Sequence, residues 1–287
     1  MTEMRCVTGR ADRIHLLSLA MYSVLLAMAL PAAAAQAPPL VPADAEVDVR
    51  YPFMWVPRDG HTLAYDAGRE RTVMFGGTAH ERACPTMEWD GEYWRGVWTT
   101  NTPNVAVGHA MVYDAARGVT VLFGGMDVAG YRPYSEENRL SSPLSDGGSA
   151  MDETWLYDGT NWTQVTPTTS PPARAFHAMA YDTVSQRVLL YGGTSDPGQD
   201  DDAFDDSYLK DFWAWDGTTW TELGGVPPDM PALKEHGMAC DTNRGVTVLF
   251  GGWKYELVES AYWADRWRAV YHTNTWEWTG AAWTKAA

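Results

Sequence analysis

Gly60-His61-Thr62-Leu63-Ala64-Tyr65, then Val73-Met74-Phe75-Gly76-Gly77, then Trp89-Asp90-Gly91-Glu92-Tyr93-Trp94 form the stretch whose reading decides the fold. Its landmarks return three times. His109, His177 and His236 each stand fifteen residues ahead of a glycine pair, as His61 does ahead of Gly76-Gly77. The apolar runs before those pairs read Val121-Leu122-Phe123, Leu189-Leu190-Tyr191 and Val248-Leu249-Phe250. The closing aromatic segments run from Tyr157-Asp158-Gly159 to Trp162, from Trp215-Asp216-Gly217 to Trp220, and from Trp278-Thr279-Gly280 to Trp283. A fixed internal order marks a repeat architecture, in which each unit buries its faces against its neighbours.

Each unit supplies four strands, a to d. Strand a starts at the histidine and alternates, with His61, Leu63 and Tyr65 on one face and Thr62 and Ala64 on the other. Strand b is the unbroken apolar run, the pattern of a strand covered on both faces. Strands c and d flank the Asp-Gly pair, which predicts a tight two-residue hairpin because glycine takes positive φ without strain. Four-stranded antiparallel sheets covered on both faces are the blades of a β-propeller, so the chain is expected to be all-β with four visible four-stranded blades. The units are about 57–103, 104–169, 170–230 and 231–287. Four blades make either a small ring or an incomplete one. Residues 46–51, within the N-terminal segment 36–56, stand where strand d of a preceding unit would lie, and are expected to add a strand.

On these residues the sequence resembles the kelch-repeat β-propeller family, in the form found in bacterial exported proteins. The resemblance rests on Gly60-His61 and Gly108-His109, on Arg58 and Arg174 three residues before their histidines, on the paired glycines, and on the spaced aromatics around Trp-Asp-Gly. It covers about residues 57–287. For fold it implies a kelch-type propeller; for function it implies little, because kelch propellers include sugar oxidases, sugar isomerases and protein-binding scaffolds.

Residues 1–35 read as a secretory signal peptide. Arg5, Arg10 and Arg13 precede the apolar run Ile14–Leu30, followed by Pro31 and alanines that place cleavage after Ala35 or Ala37. A periplasmic or extracellular location follows, with no membrane span after cleavage. The net charge of −16 becomes more negative once that segment leaves, a surface that repels nucleic acid and anionic lipid. Of the three cysteines, Cys84 and Cys240 remain. Cys84 falls at the long-loop end of blade 1 and Cys240 at the opposite end of strand a in blade 4. A strand separates those two ends by roughly 17 Å, and the pair is expected to stay unjoined because a disulfide needs Cα atoms within about 7 Å.

All variation in length sits in the b–c connections, so the added residues leave from one face of the propeller, where binding residues tend to sit. The unit 2 insertion carries Tyr131, Arg132 and Tyr134. The unit 4 insertion carries Trp253, Tyr255, Trp263 and Trp267, and residues 256–270, free of glycine and proline, predict a short helix. These aromatic-rich insertions are the expected ligand contacts, since aromatic rings give large contact area for little entropy. The unit 3 insertion is acidic; Asp200, Asp202 and Asp205 are weak calcium candidates beside the simpler reading of a solvated loop. The four histidines share faces with Leu63, Met111, Met179 and Met238, which points to inward packing against backbone rather than a metal ring. No catalytic constellation or cofactor signature stands out. The expected function is a non-enzymatic binding module for a protein or carbohydrate, with self-association an open option. The alternative is a periplasmic kelch-type sugar-acting enzyme, isomerase or oxidase-like, drawing on Arg132, Glu136, Arg266, Arg268 and His272.

Overall fold

Each unbroken apolar run becomes the second strand of an antiparallel sheet, hydrogen-bonded to the histidine-bearing strand on one side and to the aromatic hairpin on the other. The computed structural model describes residues 58–78, 86–104, 107–126, 148–196, 207–261 and 264–286, all within the unit Ala43–Ala287. The leader, the strand expected at 46–51 and Cys84 lie outside the described residues. Blade 1 holds β1 (Asp59–Asp66), β2 (Arg71–Thr78), β3 (Thr86–Trp89) and β4 (Trp94–Val97). Blade 2 holds β5 (Ala110–Asp114), β6 (Val119–Phe123), β7 (Thr154–Tyr157) and β8 (Trp162–Val165). Blade 3 holds β9 (Ala178–Asp182), β10 (Arg187–Tyr191), β11 (Phe212–Trp215) and β12 (Trp220–Leu223). Blade 4 holds β13 (Lys234–Asp241), β14 (Val246–Ala261), β16 (Thr275–Trp278) and β17 (Trp283–Lys285), with β15 (Ala264–Tyr271) as a fifth strand paired to the far end of β14. The result is an all-β propeller arrangement of four blades.

Two details depart from the sequence reading. The c–d turns close around two residues with one backbone bond instead of the expected pair, the Asp90 N–H donating to the Tyr93 carbonyl across Gly91-Glu92. Trp89 pairs with Trp94, and the Asp90 carboxylate accepts from the Glu92 and Tyr93 N–H groups. The Asp side chain thus takes over a turn bond that a two-residue hairpin would leave to backbone. The expected helix over 256–270 is a β-hairpin extending blade 4, with Trp253 opposite Tyr271 and Tyr255 opposite Ala269. Trp253, Tyr255 and Leu257 alternate with Lys254 and Glu256, a period of two that continues strand b outward. Ladder pairing of β14 with β15 takes the place of the helix's internal bonds, with a register shift between Leu257 and Glu259.

Neighbouring blades meet by one repeated rule. The outer two residues of each b run face the next blade, and the middle residue faces the previous one. Phe75, Phe123 and Tyr191 are covered by Trp162, Trp220 and Trp283 of the following blade, with ring centroids 5.1, 5.2 and 6.1 Å apart. The Trp162 and Trp220 indoles donate to the Thr86 and Thr154 hydroxyls of the preceding blade. Phe212 occupies the corresponding position in blade 3, so Trp283 packs on its ring and its N–H lacks a protein acceptor. Along the inner edge, β1 lies beside β5, β5 beside β9 and β9 beside β13; no equal packing joins β13 back to β1 among the described residues.

Candidate functional site

His109, His177 and His236 are buried where neighbouring blades meet. His109 and His236 each turn a ring nitrogen to a carbonyl of the preceding blade, Phe75 at 3.3 Å and Tyr191 at 3.1 Å. Both are buried, and burial pulls each pKa down to about 4. Burial also drives His177 well below its ordinary value, with Arg174 adding to the effect. Neutral rings packed edge-on to Phe75, Phe123 and Tyr191 are junction parts. Among the described residues no group of three His, Cys, Asp or Glu side chains can hold a metal.

The residue before each histidine tells a different story. All four adopt a left-handed conformation: Gly60 at φ 68°, Gly108 at 70°, Phe176 at 60° and Glu235 at 57°. Glycine takes this region freely, whereas other residues pay about 1–2 kcal/mol. Blades 3 and 4 therefore carry strained non-glycine residues on the inner rim where blades 1 and 2 carry glycine. The Phe176 N–H donates to the Gly108 carbonyl and the Glu235 N–H to the Phe176 carbonyl, so backbone bonds hold these positions in a row. Strain kept in place by the surroundings, with side chains aimed at one spot, is a reason to suspect function.

That spot is an aromatic cluster around Lys234. Lys234 opposes Trp253 across β13 and β14, and Trp253 opposes Tyr271 across β14 and β15. The Lys234 ammonium lies 4.2 Å from the Trp253 ring centroid, 5.8 Å from Phe176 and 5.9 Å from Tyr208. Burial lowers its pKa, partly offset by Glu235. The Trp253 indole donates to the Glu235 carboxylate at 3.0 Å, and the Tyr255 N–H donates to the Tyr208 hydroxyl. Trp253 meets Tyr255 edge-on at 5.1 Å and lies beside Tyr271, which is 64% exposed. Two residues before Phe176, Arg174 is fully buried and grips Asp211 through two 2.6 Å bonds. Burial works to raise the Asp211 pKa, but the Arg174 guanidinium prevails and the carboxylate sits below its usual range. Aromatic faces, an ammonium and a carboxylate together can stack on an apolar sugar or peptide face and bond its polar edge.

Of the expected contacts, Trp253 and Tyr255 are brought into this cluster. Trp267 stands on β15 opposite Leu257, its side chain outside the described residues. Tyr131, Arg132, Tyr134, Trp263, Glu136, Asp200, Asp202 and Asp205 also lie outside them. Of the basic supply for a sugar-acting enzyme, Arg268 is exposed on β15 opposite Glu256, and the His272 N–H donates to the Gly252 carbonyl. Phe176, Tyr208, Lys234 and Glu235 were not foreseen, and Tyr271, an aromatic of the unit 4 insertion, was not among the expected contacts. The signal was present: Gly-His in units 1 and 2 becomes Phe176-His177 and Glu235-His236 in units 3 and 4. Cys240 is a free, half-buried thiol near the Thr183 hydroxyl.

No known family description matches the chain. It is 28% identical over 127 residues to Mei4-dependent protein 6 of Schizosaccharomyces pombe (strain 972 / ATCC 24843), a match covering 41% of this chain and 18% of that protein. The chain thus spans under a fifth of this curated relative. Among solved structures it is similar to that of YjhT, with a TM-score of 0.58 and 15% identity over 80% of this chain and 71% of that one. That likeness supports a kelch-like propeller fold.

Proposed function

We propose that this chain is an exported, non-enzymatic binding module that takes a carbohydrate on its long-loop face, at the rim of blades 3 and 4. The observation behind this reading is the Lys234 cluster, with Trp253 presented beside the exposed Tyr271 and bonded to Glu235. Tryptophan and tyrosine rings stack on sugar faces with few rotamers to freeze, and the charged pair offers hydrogen bonds to ring hydroxyls. Export is supported by the leader-like segment 1–35. The test is a glycan screen followed by calorimetric titration of Trp253→Ala. Lost binding at an unchanged melting temperature fits the reading, whereas a large fall in melting temperature makes Trp253 a structural residue. A peptide captured in place of any glycan would move the ligand class to protein.

The sugar-acting alternative draws on Lys234 itself, a buried amine with a lowered pKa beside a carboxylate. Product formation in the same samples, abolished by Lys234→Met, would replace the binding-module reading.

A further inference from the structure

The two end faces of the blade array carry complementary halves of the junction that is sealed three times inside it. In the b runs of blades 1, 2 and 3 the outer residues are 0–1% exposed, while Val248 and Phe250 of blade 4 are only half-buried. The middle residue shows the mirror pattern: Leu122, Leu190 and Leu249 are fully buried, and Met74 of blade 1 is only half-buried. Blade 4 thus lacks a follower and blade 1 a predecessor among the described residues.

Both faces retain the residues the inner junctions use. Where blades 1 and 2 meet, Trp162 covers Phe75 and bonds Thr86; blade 1 offers Trp94, and blade 4 offers Phe250 beside Thr275, all half-buried. At the same junction Arg69 is bonded to Glu88, lies 5.5 Å from the Tyr157 ring and packs against Gly159, where an added Cβ would fall 2.5 Å from its guanidinium carbon. Arg244 is bonded to Glu277 in the same way but is 52% exposed, and Gly91 of blade 1 has nothing within 4 Å of an added Cβ. Tyr181 accepts from the Ala116 N–H across the junction of blades 2 and 3, whereas its counterpart Tyr65 is 51% exposed.

We infer that the exposed face of blade 4, with Phe250, Thr275 and Arg244, docks on the face of blade 1, with Trp94, Gly91 and Tyr65, of a second copy of this chain. The internal repeat identifies the occupant: at each inner junction this face meets the opposite face of the next blade, and among the described residues blade 1 keeps that opposite face uncovered. A second copy fits better than closure within one chain because the three inner junctions are sealed by fully buried rings. Swinging blade 4 onto blade 1 would reopen them. The contact is heterologous, and two arcs joined at both ends make an eight-bladed ring, within the range propellers adopt.

Sedimentation equilibrium of the purified native chain at micromolar concentration tests this. The expected mass is twice that of the monomer, falling to one chain in Phe250→Glu and in Trp94→Glu, with unchanged circular dichroism. Mixing the two variants should restore a dimer, since each keeps one intact face; only a head-to-tail contact allows that. Should either variant misfold, Arg244→Glu alters an exposed side chain and should weaken the dimer at least tenfold. A native monomer, or a dimer indifferent to all three substitutions, overturns the proposal.

Discussion

His236 and Glu235 are adjacent on one strand yet belong to different regions of the molecule. His236 repeats a position filled alike in every unit; it is buried, neutral and bonded to the neighbouring blade. Glu235 breaks the repeat, replacing the glycine of units 1 and 2, and turns its exposed carboxylate to the Trp253 indole. The same contrast separates His177 from Phe176. Residues that recur from unit to unit hold the blades together. Phe176 and Glu235 depart from the glycine that precedes the histidine and meet on one rim. The same left-handed strain recurs at Glu70 and Gln186 in the a–b turns, where units 2 and 4 carry Gly118 and Gly245, without gathering a cluster of this kind among the described residues.

The largest effect is expected at the junctions. Trp220 is 1% exposed, packs on Phe123 and donates to Thr154. Trp220→Ala should cost about 3–5 kcal/mol by chemical denaturation. A loss below 1 kcal/mol would break the distinction between junction and rim.

Acid should act on the junctions next. His109 and His236 have folded pKa values near 4 against an ordinary 6.5, so the unfolded chain binds protons that the folded chain refuses. Their stability contribution is complete above pH 6.5 and declines as pH falls from there towards 4. Melting temperature followed across that window should drop with acid, and His236→Gln should flatten the slope. A flat native profile would contradict neutral burial.

Glycines in the c–d turns sharpen the comparison further. Gly217 has φ 100° and an added Cβ would fall 2.0 Å from Arg117, whereas Gly280 has φ 86° and open space around it. Gly217→Ala should cost more than Gly280→Ala, about 2–3 kcal/mol against about 1. Equal losses in equilibrium unfolding would mean that backbone strain alone, and not the close approach of the blades, requires glycine at the first site.

The sequence made the blades legible because the landmarks recur and because strand periodicity survives in each copy. The role of the histidines was readable from the Leu and Met that share their faces. The hairpin of β14 and β15 was misread because absence of glycine and proline was weighed above the alternation of Trp253, Tyr255 and Leu257 with charged residues. The Lys234 cluster was only half visible: its Trp253 and Tyr255 announced themselves as aromatics in a long insertion. Phe176 and Tyr208 reach it from blade 3, a meeting set by blade packing that no local pattern encodes. Asp66, Asp114, Asp182 and Asp241, each five residues after a histidine and each accepting turn N–H groups, were a further repeat feature left unread.

Glu235→Gly tests the central claim most directly, because it restores the residue that the repeat uses in blades 1 and 2. Unfolding free energy and glycan affinity should be measured on the same preparation. If departure from the repeat serves binding, stability should hold or rise by up to about 1 kcal/mol as the left-handed strain is relieved, while affinity falls by at least tenfold. Lower stability with binding unchanged would contradict the account and make Glu235 another fastening of the fold.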